Sequence, residues 1–278
     1  MNHLTWEEAV RWFRAQPNNE GPVRDNYFDL PVRQAAERYA RSEEFSEVAR
    51  LLGEGKGRSI LDLGAGNGIA SFALARTGWR VTAVDPDPSD EVGTGAIRSL
   101  FEEAGLVISL VQECGEDMSL ADASFDALHA RQVFHHAVSL ETMAKEAARV
   151  LRSGGVLLAT REHVADDKEQ LAIFRSNHPL HPLYGGESAY PVSRYVAAFE
   201  AASLHVIQVW GPAESILNFY PGSEDERQNV LQQMVTARCS GIDRWLTRVA
   251  KFREMQLKRV MSQDRTPGRL FSFLLEKS

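Results

Sequence analysis

The chain has 278 residues, 44% of them apolar and 25% charged, a length that supports one to two domains and a core needing no disulfide or metal staple. Its 13 Phe, 6 Tyr and 5 Trp residues exclude it from the disordered class, which lacks apolar surface to bury. A net charge of −7 argues against a general nucleic-acid binder, which needs a basic face to displace phosphate counterions.

In chain order, residues 1–50 predict helices. Trp6, Val10 and Phe13 recur at helical spacing, and the stretch from Pro17 to Pro22 interrupts the pattern. From residue 58 strands and helices alternate. Strands are predicted over 59–63, 80–84, 106–111, 125–129 and 156–160, and helices over 69–76 and 95–104. Ser139 is a candidate N-cap for a helix reaching 151 or 152, with Gly154 and Gly155 as its stop. Beyond Glu162 the pattern loosens, and 178–186 reads as an aperiodic loop. A helix near 192–202, a strand over 204–210, helical sequence over 224–262 and a closing strand over 268–275 follow. Such alternation implies a parallel, doubly wound sheet.

The sharpest local signal is DLGAGNG at 62–68, between the first strand and the next helix. Glycines let backbone turn tightly and approach a ligand, and the helix N-terminus offers free N–H groups. Asp85 stands 17 residues after Gly68, at the end of the second strand, where a carboxylate can accept bonds from two ribose hydroxyls. A dinucleotide fingerprint needs its third glycine at position 69, which is Ile69. Asp62, two residues before the first glycine, would repel a pyrophosphate and suits a ligand bearing an amino group.

On these residues the chain resembles the class I methyltransferases that use S-adenosylmethionine. ILDLGAGNGIA at 60–70 is similar to their first motif, and ASFDAL at 123–128 to the start of their fourth strand. Phe134, His135 and His136 resemble the segment that follows, and EAARVLRSGGV at 146–156 the helix and turn before the fifth strand. The resemblance runs over roughly 55–165 and is nearest to the quinone-biosynthesis-like, type 11 group. It implies S-adenosyl-L-methionine as cofactor, with Gly64, Gly66 and Gly68 along its methionine and ribose. Asp62 would bind the methionine amino group, directly or through water, and Asp85 the ribose. Pro86 would lie beside the adenine, and Ala130 or Arg131, just past the fourth strand, at the methionine end. The family's adenine-binding aspartate falls at Cys114, which leaves the adenine amino group to backbone at Gly115, to Glu116 or to Glu113.

Methyl transfer from a sulfonium is an in-line displacement served by alignment in a dry pocket. An oxygen or nitrogen acceptor also needs to lose a proton. Glu162 and His163 end the fifth strand, where doubly wound sheets place ligands, and a histidine of ordinary pKa is a fair base. A solvated polar loop is the competing reading. His135 and His136 read as structural. His178, His181, Tyr184 and Tyr190 read either as part of a lid or acceptor pocket or as an ordinary surface loop, and Tyr27 and Phe28 equally as cofactor cover or core. The catalytic candidates are His163, His181 and Glu162. His163, Asp166, Asp167, His178 and His181 match no metal-ligand spacing, so no metal is expected. The 242–261 segment is amphipathic, with Arg244, Arg248 and Lys251 on its polar stripe, either a lid facing an anionic substrate or a solvated face.

The expected architecture is α/β: a doubly wound Rossmann-like sheet, mostly parallel with an antiparallel closing strand. An N-terminal helical cap spans 1–50, and a methyltransferase core spans 51–278 with a substrate loop at 164–190 and a helical insertion at 212–266. The 178–190 part of that loop and the insertion should wall the acceptor pocket, with His163 or His181 nearest the methyl. The expected function is methyl transfer to a small-molecule acceptor. The alternatives are a non-catalytic S-adenosylmethionine-binding regulator and an NAD-dependent oxidoreductase. No apolar run approaches the roughly 18 residues of a membrane span, the first eleven residues lack a signal-peptide core, and Cys114 and Cys239 lie far apart. These point to a soluble cytoplasmic protein without a membrane partner, and the net charge to one without a nucleic-acid partner; the expected assembly is a monomer or homodimer.

Overall fold

Four short helices precede the first strand. They are α1 (Trp6–Arg14), α2 (Glu20–Asp25), α3 (Val32–Ala40) and α4 (Glu43–Leu52). Local chemistry starts them: the Thr5 hydroxyl accepts the Glu8 N–H while the Glu8 carboxylate accepts the Thr5 N–H, a reciprocal cap, and Ser42 caps α4 through the Phe45 N–H. The computed structural model describes residues 4–238 and 263–278.

The alternating region follows as β1 (Ser59–Leu63), α5 (Ile69–Arg76), β2 (Arg80–Val84), α6 (Thr94–Ala104), β3 (Ser109–Val111), β4 (Phe125–Arg131), α7 (Leu140–Val150) and β5 (Leu151–Val164). Next come α8 (Lys168–Asn177), α9 (His181–Tyr184), α10 (Val192–Ala201), β6 (Leu204–Trp210), α11 (Glu224–Arg238) and β7 (Arg269–Lys277). The seven strands form one sheet in the order β3-β2-β1-β4-β5-β7-β6. The first five run parallel, and β7 inserts antiparallel to both β5 and β6. Alternate residues feed opposite layers, as strand geometry requires: Ile60 enters the layer with α3 and α5, and Leu61 and Leu63 the layer with α7 and α10. Among the described residues no helix is long and apolar enough to cross a membrane.

Three local expectations change. The helix capped by Ser139 stops at Val150, and 151–155 belong to β5 rather than to a helix end. Leu151 pairs with Phe125 and is fully buried, and that burial outweighs another half turn of helix. The loosely patterned 164–190 stretch contains α8, started by Asp167 accepting the Gln170 N–H. It lacked an apolar period because Phe174 is its one buried residue. The expected helix at 242–261 lies outside the described residues.

Candidate active site

The turn between β1 and α5 needs left-handed backbone three times, with φ of 61° at Gly64, 56° at Gly66 and 84° at Gly68. A Cβ on Gly64 would stand 2.7 Å from a Val133 methyl, whereas one on Gly66 would meet nothing within 4 Å, so the loop's inner side is open. Asp85 ties this loop down. One carboxylate oxygen accepts the Gly66 N–H at 2.7 Å and the other the Asp87 N–H at 2.9 Å. Burial pushes its carboxyl up to about 6, against the pull of those two N–H groups. Asp62, inside β1 and 1% exposed, accepts the Ser71 hydroxyl at 2.6 Å and pairs with the His129 ring at 3.0 Å.

A cavity of about 530 Å³ begins at this loop, beyond the carboxyl ends of the central strands. Asp62, Gly64, Gly66, Asp85 and Pro86 line its near end, and Cys114, Gly115 and Glu116 line a flank. Its far end is walled by His135, His136, His163, His178, Tyr184 and Glu187. Trp6 and Phe28 close it from above. The Trp6 ring packs 4.7 Å from Tyr184, and the Leu4 N–H donates to the Leu183 carbonyl at 3.0 Å.

At the far end β5 bulges at Arg161, which has a φ of 59°. Arg161 donates to the carbonyls of Leu217 and Tyr220. Glu162, wholly buried, accepts the N–H groups of Val133, Phe134 and His135 at 3.0–3.1 Å and the His135 Nδ1–H at 2.7 Å. Burial raises the Glu162 pKa while the three backbone donors oppose it. Burial and the neighbouring His136 hold His135 well below the usual imidazole range. His163 is pushed down to about 3 by burial and then by His135, although its Nδ1–H donates to the Gly268 carbonyl at 2.7 Å. The Nδ1 of His178 accepts two backbone N–H groups, leaving Nε2 facing Glu187 at 3.7 Å. Glu187 is 3% exposed. Tyr184 donates to one of its oxygens, and the other has no hydrogen-bond partner. Burial raises this carboxyl, but His136, His178 and His135 together bring it below its ordinary value.

Residues 61–159 match a family described as a methyltransferase domain. Over this stretch the chain is similar to that family. It is 30% identical over 156 residues to a ubiquinone biosynthesis O-methyltransferase of Azorhizobium caulinodans, covering 56% of this chain and 60% of that protein. It is also 38% identical over 128 residues to a human thiol S-methyltransferase, covering 45% and 51%. The chain thus spans about three fifths of the length of the ubiquinone-pathway relatives it matches. The geranyl diphosphate C-methyltransferase of Streptomyces coelicolor A3(2), solved with S-adenosyl-L-homocysteine, shares the fold at a TM-score of 0.59, with 12% identity and 98% of each chain covered.

Several site expectations for the domain need correction. Ala130 and Arg131 lie inside β4 rather than past it, and the Ala130 side chain is in the core, paired with Leu63 and Ala159. Arg131 is among the cavity-lining residues, and its guanidinium is held by Glu44 at 2.7 Å and by Gln132 at 2.9 Å. Glu162 does not line the cavity, because its oxygens are spent on backbone and on His135. His181 is not on the wall either; His178, three residues earlier and between α8 and α9, is. The polar-loop reading of 161–163 fails, since Arg161 is 8% exposed and Glu162 0%. The described part of the 212–266 insertion contributes no lining residue, and α1 and the turn after α2 take that place. Tyr27 is core, stacked 4.9 Å from Tyr220, whereas Phe28 faces the cavity. Sequence reasoning missed Ser71 and His129, which orient Asp62, and it missed Glu187. An acid following two glycines carries no periodic signal, and only the fold brings it against His135 and His178.

Proposed function

We propose that the domain transfers the methyl group of S-adenosylmethionine in line to a small-molecule acceptor held at the histidine-lined end of the cavity. The observation that carries this reading is the continuity of one cavity from the glycine loop, with its two buried acids, to a far end rich in polar side chains under an aromatic roof.

The cofactor supplies a methyl on a cationic sulfur, and the residues present fit it. Asp62, oriented from behind by Ser71 and His129, keeps lone pairs for an ammonium. Asp85 offers a carboxylate to two ribose hydroxyls, and the open inner side of Gly66 admits the chain between them. Glu113 and Glu116 already accept backbone N–H groups, of Ser119 at 2.7 Å and Val138 at 2.9 Å. That leaves main chain at 114–116 as the first choice for the adenine edge. At the far end, Trp6, Phe28 and Tyr184 exclude water, and the neutral rings of His135 and His163 and the carboxylate of Glu187 orient the acceptor. With a pKa of about 3, His163 is a poor general base and serves as a hydrogen-bonding wall. The family relatives act on oxygen and sulfur acceptors by name, and a hydroxyl-bearing small molecule is the proposed class here. A cavity continuing past the cofactor end disfavours the non-catalytic alternative. The cysteine usage supports a reducing compartment such as the cytoplasm, and the net charge of −7 argues against a nucleic-acid partner.

Calorimetry should register S-adenosyl-L-homocysteine binding and no heat with NAD or NADP. The opposite pattern would end this reading. Affinity should also fall with acidity. The ribose contact needs the Asp85 carboxylate ionised, and a group near pKa 6 is mostly protonated at pH 5, so binding should be about tenfold weaker there than at pH 7.5. A flat profile across that window would remove Asp85 from the ribose site.

A further inference from the structure

One ring nitrogen each of His135 and His136 and a carboxylate oxygen of Glu187 lie within 4.8 Å of one another. They come from the 3-10 turn after β4 and the segment after α9, so no sequence spacing announces them. We propose that these three residues bind a divalent first-row transition-metal ion in the wall of the cavity, with its open coordination positions facing the acceptor.

Three observations support the assignment beyond proximity. First, the second oxygen of Glu187 has no hydrogen-bond partner although the residue is 3% exposed, and it stands 3.8 Å from His135 Nε2. A buried anion without a donor is costly unless a cation joins it. Arg175 donates to the backbone carbonyl of Glu187, not to the carboxylate. Second, His135 is prepared as a ligand. Its Nδ1–H is fixed at 2.7 Å by Glu162, so Nε2 turns a lone pair to the cavity, the carboxylate–histidine support that metal ligands commonly carry. Third, the tautomers select these three residues. His178 has its Nδ1 lone pair committed to two backbone N–H groups, and its Nε2 carries the proton that points at Glu187. His163 is committed through Nδ1 to Gly268.

Ligand atoms around an ion at about 2.0–2.2 Å sit roughly 3–3.5 Å apart, so the site must contract from its present spread. The exposed ring of His136 can supply that motion, because its contact to the Gly186 carbonyl is a long 3.4 Å. Two imidazoles and one carboxylate suit zinc, iron or cobalt better than magnesium or calcium, which favour all-oxygen sites.

The catalytic consequence rests on the methyltransferase reading; the binding of the ion does not. An acceptor hydroxyl bound at an open position releases its proton to solvent and presents an oxyanion. The new O–CH₃ bond replaces the S–CH₃ bond, and the sulfur keeps the electron pair as a neutral thioether. The substrate class is therefore a small molecule with an ionisable hydroxyl or enol oxygen.

The test is titration of the full chain, stripped with a chelator, with Co²⁺, read by visible d–d absorption and by calorimetry. One equivalent should bind. Glu187→Gln and His136→Ala should each weaken it at least about 100-fold, the upper end of what losing even a supporting partner costs. Both should keep S-adenosyl-L-homocysteine affinity near the parent's, because that ligand occupies the other end. His136→Ala changes an exposed ring and keeps the test decisive if Glu187→Gln does not fold. No stoichiometric cobalt binding, or equal binding by parent and variants, would overturn the site. Cobalt binding without homocysteine-ligand binding would instead sink the methyltransferase reading and leave the metal site standing.

Discussion

Replacing Asp85 with alanine is expected to weaken S-adenosyl-L-homocysteine binding at least about 30-fold, because two charge-assisted hydrogen bonds to ribose, each worth about 1.5–3 kcal/mol, are lost together. The stability change should be small, for a reason visible in the geometry. The side chain holds two backbone N–H groups, and orphaning them costs about 1–3 kcal/mol each. Against this, burial has raised its pKa from 3.8 to about 6, so the ionised carboxylate burdens the free fold by roughly 3 kcal/mol at neutral pH. That burden is absent below the unfolded value, grows as pH rises, and is complete above about 6. The two effects roughly cancel in the alanine variant. Calorimetry gives the affinity and a urea melt the stability. Unchanged affinity, or loss of affinity only in step with unfolding, would remove the ribose role.

The start of the alternation was legible because β1 and β2 are short apolar runs ended by glycine and by an acid followed by proline. Ser59–Leu63, Ile69–Arg76 and Arg80–Val84 fall where the sequence predicts them. The cofactor end was legible for the same reason: a loop that needs left-handed backbone must spell it in glycines, and a carboxylate at a strand end has few structural excuses. The acceptor end was not. Glu162 looked like a strand-end base because sequence cannot reveal the bulge at Arg161 that turns it toward 133–135. Glu187 was invisible because its meaning depends on His135, about 50 residues away in sequence and in contact only once β4 and β5 are paired. The reading of 27–28 stayed open between core and cover because the same aromatic residue types serve both, and only packing tells Tyr27 from Phe28.

Glu44→Ala should be among the most destabilising single changes in the chain. Glu44 has no exposed side-chain surface and meets Arg131, whose side chain is 11% exposed, at 2.7 Å. The guanidinium also lies over the rings of Tyr27 and Tyr39 at 5.5 and 5.7 Å. Burial works against the Arg131 charge, and Glu44 more than restores it. Removing the acid strands that charge among aromatics, at a cost of about 3–5 kcal/mol, which lowers the melting temperature by roughly 10 °C in a chain of this size. Because the pair joins α4 to β4, the N-terminal helices that roof the cavity lose their anchor at the same time. Replacing both partners, Glu44→Leu with Arg131→Met, should recover most of the stability, since an apolar pair of similar volume pays no desolvation cost. The double variant also settles what Arg131 does at the cavity. Its Nε, Nη1 and Nη2 are already engaged by Glu44 and Gln132, so S-adenosyl-L-homocysteine should bind the double variant nearly as well as the parent. Restored stability with lost affinity would instead make the Arg131 side chain a cofactor contact, and failure to restore stability would show that the ion pair is more than a matched burial of two charges.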